Sequence, residues 1–516
     1  MTASPIPQSA AATSGPVAVS DSGHVASPVA SPWWRIADFG VLGLWAAVVG
    51  FTLHYHEKWC DEAQAWLFAR DLSLSRLWFY ELRYEGSPGL WHTILWIAQH
   101  AFHAPYAVLG PIGMACGAGG AAYLILKAPF PRYLRWPLAF TYFMVYQYAV
   151  IARQYTLLPV LTFAAVSLLK DIQRPFRLTI LLMLLALVSF HGTLLAAGLG
   201  FAYLCEAFPE WRKLGKHVQN RYVISIVLMA LTFVFVFIVL KPASDSLEMD
   251  KKTGFFQLPT FKNTQGEAIT SSVKFKAILS GGLLDSPVPS AVFLVLAGAW
   301  CFRRRRPLVF MLSVGLMVAL YSLVYGYAHH QGTLFIAAIA GLWFAWPSEQ
   351  EQQTFQVWDR RLLNGMTVLL LGLCAVNIWD AAVVIKRDYL YPYSGAEDAA
   401  NYLKSVGADR SSIFGYGFGI SGVQAYFDRN ILANIPTAYT HNGQPGWHNM
   451  DVEQAREAKP EYVVVFTTAP DLLMRFDGPT LASLGYRLAH FSDGYYFYKR
   501  GVYEREVYMI FRRAQQ

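Results

Sequence analysis

Charge is what this sequence has least of. Only 15% of its 516 residues are Asp, Glu, Lys or Arg, against about a quarter in soluble domains. With 55% hydrophobic and 15% aromatic residues, that deficit indicates a membrane protein. Cysteine is sparse as well. Of Cys60, Cys116, Cys205, Cys301 and Cys374, Cys60 alone falls in an outward-facing loop. No exoplasmic disulfide can form, no ligand spacing matches a zinc site, and Cys60 reads as a passive thiol. The apolar runs are nearly free of ionisable groups, Asp38 and Asp380 lying near their ends. That weighs against an ion-coupled transporter, which needs charges near the bilayer midplane. Residues 1–31 hold no Lys or Arg, so the basic start of a signal peptide is missing. Their Ala, Ser, Pro and Val content predicts a disordered tail.

What is present is a series of apolar runs. They cover about 36–53, 88–103, 106–126, 136–150, 155–169, 178–190, 192–207, 222–240, 287–302, 307–326, 331–346 and 361–382. Trp33, Trp34 and Arg35 anchor the first at the cytoplasmic face. The net charge of +8 resides in short loops at 127–135, 170–177, 212–221 and 303–306. It therefore reports topology and contact with anionic lipid, and not nucleic acid. Those loops are expected inside, and the turns at Arg153, His191 and His329-His330 outside. Parity then requires that 88–103 lie on or dip into the outer face without crossing. The expectation is a polytopic α-helical membrane protein with about eleven crossings and a cytoplasmic N-terminus. Gly113, Gly117 and Gly120 suit close helix packing.

Two segments break the apolar pattern. Residues 242–286 read as a polar loop carrying Lys251, Lys252, Lys262, Lys274 and Lys276, long enough to fold over a site. Residues 387–516 have soluble composition and read as a small α/β domain on the exoplasmic side. A helix is expected at 396–406, strands at 412–416, 462–467, 495–499 and 507–511, and a helix opening at Asp451.

The chemistry concentrates between His54 and His103. Asp61-Glu62 follows the first apolar run within a few residues. An amphipathic stretch, Ala63–Leu82, comes next, then Glu85-Gly86-Ser87-Pro88. Carboxylates just outside a span, on a segment lying along the interface, suit chemistry on a lipid-linked molecule. A solvated acidic turn is the plainer alternative. Arg153, a lone cation at the outer end of a span, offers a planar fork for phosphate oxygens. Its plainer alternative is snorkelling to headgroups.

This layout resembles the first outer loop of GT-C glycosyltransferases. More narrowly, it is similar to protein O-mannosyltransferases and lipid A aminoarabinose transferases. The resemblance rests on Asp61-Glu62, on Gly86-Ser87-Pro88-Gly89-Leu90-Trp91-His92, and on Ala152-Arg153-Gln154-Tyr155. Ser87 and Gly89 stand where relatives carry His and Pro, and the first Arg of an Arg-x-x-Arg-x-Tyr patch has no counterpart. The resemblance implies a GT-C-like catalytic domain over 32–386, with its first outer loop at 54–105. It implies transfer of a sugar from a polyprenyl-phosphate donor to a lipid, glycan or protein acceptor by single displacement. Asp61 would be the base and Glu62 its catalytic neighbour. Arg153, Tyr155, Lys58, His92 and Glu85 would bind substrate. Adjacent helical residues point about 100° apart, so Asp61 and Glu62 are not expected to act as a matched pair. No cofactor is expected, and a divalent metal has no support. The second acidic motif of metal-dependent oligosaccharyltransferases is missing near Arg153. The modest loops and lack of a retention signal favour a bacterial inner membrane. A lipid-linked sugar flippase, a polysaccharide polymerase and a non-catalytic scaffold are the competing readings.

Overall fold

The computed structural model describes residues 32–241, 243, 270–323, 328–439 and 451–514. The tail 1–31 and Lys251, Lys252 and Lys262 lie outside them. The helices run α1 Pro32–Tyr55, α2 Cys60–Asp71, α3 Leu74–Phe79, α4 Leu90–Phe102, α5 Leu109–Lys127, α6 Arg132–Ala139, α7 Leu157–Leu168, α8 Pro175–Ala186 and α9 Phe190–Ala207. They continue as α10 Lys216–Leu240, α11 Ser271–Leu279, α12 Pro287–Arg303, α13 Pro307–Leu323, α14 Gly332–Ala345, α15 Glu349–Gln353, α16 Val357–Leu390 and α17 Ala396–Ser405.

Among the described residues, five helical segments are long and apolar enough to cross a membrane. They are Trp33–Tyr55, Tyr106–Lys127, Phe190–Lys213, Lys216–Leu240 and Val357–Leu390. A sixth would join 271–284 to Pro287–Arg303 across a 73° bend. The apolar helices α7, α8 and α13 are shorter. The 12 residues of α8 extend about 18 Å against a hydrocarbon core of about 30 Å. Helices of that length can cross only when packed inside a bundle. α14 is buried along its whole length and forms the bundle's centre. The 13 residues of α4 are likewise short of a span, and Phe102 at its end is exposed.

Two segments of the helical region differ from the sequence reading. The run 136–150 is not one helix. α6 ends at Ala139, a π-helical turn covers Phe143–Gln147, and an irregular turn follows to Arg153. Pro137 and the Thr141 hydroxyl, which donates to the Leu138 carbonyl at 2.7 Å, disturb the helical ladder there. The glycines of α5 admit this irregular backbone. A Cβ on Gly117 would lie 2.8 Å from the Tyr148 carbonyl oxygen, and one on Gly113 3.0 Å from Ala152 Cβ. The second difference concerns 242–286. Its last part is helical over Ser271–Leu284. Lys274 and Lys276 give this stretch a polar appearance, yet Ile278, Leu279 and Leu283 are buried.

After α16 the chain forms a four-stranded sheet, β1 Ile413–Tyr416, β2 Tyr462–Thr467, β3 Tyr486–Tyr498 and β4 Gly501–Arg513, in the order β1-β2-β4-β3. β1 and β2 are parallel and the other pairs antiparallel. Asp451 caps the helix after it by accepting from the Gln454 N–H at 3.0 Å. β3 and β4 form a hairpin much longer than the short strands expected. His490, Ser492, Asp493 and Gly494 hide its first half from a hydrophobicity pattern.

The hairpin tip is clamped to the helices. Lys499 Nζ lies 2.5 Å from Asp285 Oδ1 and 3.3 Å from Asp380 Oδ2. Arg500 Nε lies 2.8 Å from Asp380 Oδ1 and its Nη2 also meets Asp285. Asp380 is fully buried and Lys499 is 5% exposed. Asp38 is paired too, with Arg132 at 3.2 Å and the Trp136 indole N–H at 2.9 Å. Breaking a buried pair from one side leaves an uncompensated charge. Asp380→Ala should therefore destabilise the protein by about 3 kcal/mol, the low end of that range because Arg500 is solvent-screened. Thermal unfolding in detergent measures it, and Glu349→Ala, at an exposed acid outside the clamp, is the control.

Candidate active site

Trp59 is the N-cap of α2, in extended backbone. Glu62, three residues on, turns back so that its Oε2 accepts the Trp59 N–H at 3.2 Å. That half of a capping box fixes the start of the helix. The 100° between successive helical residues then separates the two acids. Glu62 points into the protein and is fully buried, whereas the Asp61 side chain is 37% exposed.

Glu62 is surrounded by donors. Its Oε1 accepts the Ala152 N–H at 2.7 Å. Its Oε2 is 3.3 Å from His56 Nε2, and His56 Nδ1 is 2.9 Å from Asp388 Oδ2, where the Tyr146 hydroxyl also donates at 3.0 Å. Burial by itself would push the imidazole of His56 down. Asp388 and Glu62 on either side outweigh it and raise His56 to about 10. The cluster is therefore an imidazolium between two carboxylates, built from the loop before α2, the π-turn and the end of α16.

Holding Ala152 fixes Arg153, whose extended backbone leads into the short 3-10 turn Gln154–Thr156. Arg153 Nη1 lies 2.9 Å from Asp61 Oδ2. Its guanidinium sits over the rings of Trp59 and Tyr155, at 5.3 and 5.6 Å from their centroids. Trp59 stacks on Tyr496 of β3 at 4.5 Å. Behind Arg153 stand three imidazoles. His330 is 5.1 Å from the Tyr155 ring, 4.8 Å from His191 and 4.1 Å from His329. Burial, the neighbouring imidazoles and Arg153 hold His329 and His330 well below the usual histidine range, so they are neutral. The nitrogens of His191 are buried and have no hydrogen-bond partner among the described residues. No group of three metal-ligating side chains with metal-binding geometry occurs among the described residues.

Thus the structure brings together Asp61, Arg153 and Tyr155, with Glu62 directly beneath. Glu85 stands at the margin, where its Oε1 accepts from Gln64 Nε2 at 3.1 Å. The structure does not bring Lys58 or His92 to Arg153. Lys58 Nζ lies over the Tyr106 ring at 5.1 Å. His92 is buried against Phe68, and burial lowers it to about 4. Sequence reasoning missed His56, Trp59, Tyr146 and Asp388. It also missed Glu504 and Glu506 of β4. Burial raises Glu506 to about 7, with hydrogen bonds to Ser394 and Cys60 opposing and Asp61 adding to the rise. His56 and Trp59 flank the acidic pair, so the loop itself carried a signal for them. The strand acids and Asp388 carried none.

The His56 cluster makes stability depend on pH. A group raised from 6.5 to about 10 on folding stabilises the folded state fully below 6.5 and loses that contribution as pH rises toward 10. The melting temperature should fall across that window. His56→Asn should flatten the fall while lowering the melting temperature at pH 6, as measured by nanoscale differential scanning fluorimetry.

No family model matches the chain, and no curated protein matches it. Among solved structures, it is similar to the arabinofuranosyltransferase AftD from mycobacteria, in a cryo-EM structure of a mutant form. The two share 14% identity and a TM-score of 0.36, over 95% of this chain and 42% of that one. The chain thus spans less than half of that protein's length.

Proposed function

We propose that this protein is an integral-membrane glycosyltransferase of GT-C type that takes a sugar from a polyprenyl-phosphate donor at the exoplasmic face. The observation that carries this reading is the Asp61–Arg153 pair, 2.9 Å apart. It is a half-exposed carboxylate joined to a cation that rests on two aromatic rings, in the first loop after an apolar helix. The motif resemblance of both patches supports it. The reading keeps about eleven crossings, with the shorter helices crossing inside the bundle, and puts residues 387–516 outside.

Single displacement needs two charges at one centre. Asp61 takes the proton from the acceptor hydroxyl or amine as that atom bonds to the anomeric carbon. The bond from the anomeric carbon to phosphate oxygen breaks, and the phosphate departs with the electron pair. The Arg153 fork receives it, backed by neutral imidazole N–H donors of the His191, His329 and His330 group. Without substrate, Asp61 and Arg153 neutralise one another. A phosphate arriving at Arg153 competes for that bond and releases Asp61 to act as a base. Glu62 has every role filled by buried donors, so it positions the turn carrying Arg153 and takes no proton. A flippase reading finds less support, because the buried acids Asp38 and Asp380 are both ion-paired.

The test is transfer by membranes holding wild type, Asp61→Asn or Arg153→Ala, supplied with radiolabelled polyprenyl-phosphate sugars. Asp61→Asn should reduce kcat by about 100-fold or more with little change in KM, as loss of a general base does. Arg153→Ala should impair both. Transfer unchanged by Asp61→Asn would refute the assignment.

A further inference from the structure

At the other end of α8 from His191, about 18 Å along the helix, a second cationic site has no role in the chemistry above. Arg174, Phe176, Arg177 and Arg221 line an open cavity of about 250 Å³. Arg174 is the N-cap of α8, Phe176 and Arg177 occupy its first turn, and Arg221 comes from α10. Three guanidinium groups thus face one space. Asp171, 4.0 Å from Arg174 Nε, is the carboxylate paired with them. Arg177 and Arg221 form no ion pair with any described residue, and Arg221 lies over the Phe176 ring at 5.8 Å. The first N–H groups of α8 add partial positive charge to the same space. Three like charges gathered against a single carboxylate repel, and a bound anion relieves that repulsion.

The surroundings specify what kind of anion. Below the cavity, α8 and α10 expose an aliphatic face. Ile180, Val223, Ile224, Val227 and Leu231 are each about half exposed, between 49% and 60%. Both helices are apolar, and the loops that carry these arginines belong to the basic set that the positive-inside bias puts at the cytoplasmic surface. A ligand with a phosphate head and hydrocarbon tails satisfies the guanidinium groups and the aliphatic face together.

We infer that this cavity binds the phosphodiester of an anionic phospholipid, with Arg174, Arg177 and Arg221 on the head group and its acyl chains along α8 and α10. The site is independent of the transferase reading, since it needs only that α8 and α10 meet a bilayer. A soluble phosphate shares the head-group chemistry but makes no use of the aliphatic face.

Native mass spectrometry of the full chain in neutral detergent tests this with three probes: phosphatidylglycerol, phosphatidylcholine and glycerol 3-phosphate. Wild type should retain phosphatidylglycerol about tenfold over phosphatidylcholine, and Arg177→Gln/Arg221→Gln should lose that preference, as removal of charge-assisted contacts implies. Excess glycerol 3-phosphate should leave the lipid in place. Equal retention of the two lipids overturns the inference, as does undiminished preference in a double variant that remains monodisperse. Displacement by glycerol 3-phosphate also overturns it, by making a soluble phosphate the ligand. If the double variant does not fold, the two lipids and the competitor on wild type still decide, and Arg221→Gln alone replaces it.

Discussion

One buried carboxylate organises the outer end of this protein. Glu62 accepts the N–H groups of Trp59 and Ala152 and faces the imidazolium of His56. The first bond starts α2 at the residue that aims Asp61 outward. The second holds the turn that carries Arg153. The third ties both to α16 through Asp388. A carboxylate in a dry interior is costly unless every lone pair is used and an opposite charge stands close. Here those conditions also specify a geometry. The irregular backbone after the π-turn leaves the Ala152 N–H free of a helical partner, and Glu62 uses it.

The C-terminal region is part of the same construction. Tyr496 stacks on Trp59, and the hairpin tip reaches the buried Asp380 through Lys499 and Arg500. Glu504 and Glu506 lie two apart on β4 and so share a face of the sheet, directed at Cys60 and Asp61. The soluble composition of 387–516 suggested a separate unit. The physical picture is of a hairpin docked into helices by a four-charge cluster and a ring stack. Acids that would be liabilities in lipid are thereby neutralised by cations arriving from outside the bundle.

Much of the helical layout was legible because helices in lipid must be apolar over most of their length. Over the described residues most of the apolar runs carry one main α-helix, whereas 136–150 holds Pro137 and the π-turn that a hydrophobicity count cannot see. Asp61, Glu62 and Arg153 stood out as charges in an apolar chain. Their roles diverged for a reason the sequence also contained, the 100° between neighbours on a helix. Asp388 was not legible as a site residue. It lies 332 positions from His56, and at the end of a span an acid normally means solvation. Lys58 illustrates the reverse error. Proximity to Asp61 in sequence suggested a shared site, but the chain enters α2 with Lys58 turned toward Tyr106.

The central claim is that Glu62 holds the 152–153 turn and so delivers Arg153 to Asp61. Hydrogen exchange of peptides covering 148–156 measures it directly, in wild type and in Glu62→Ala. The account predicts slow exchange in wild type. It predicts a selective loss of protection over this stretch in the variant, with β2 and α14 unchanged. Equal protection of 148–156 in both proteins would show that the turn is held by something else, and the account would fail at its first step.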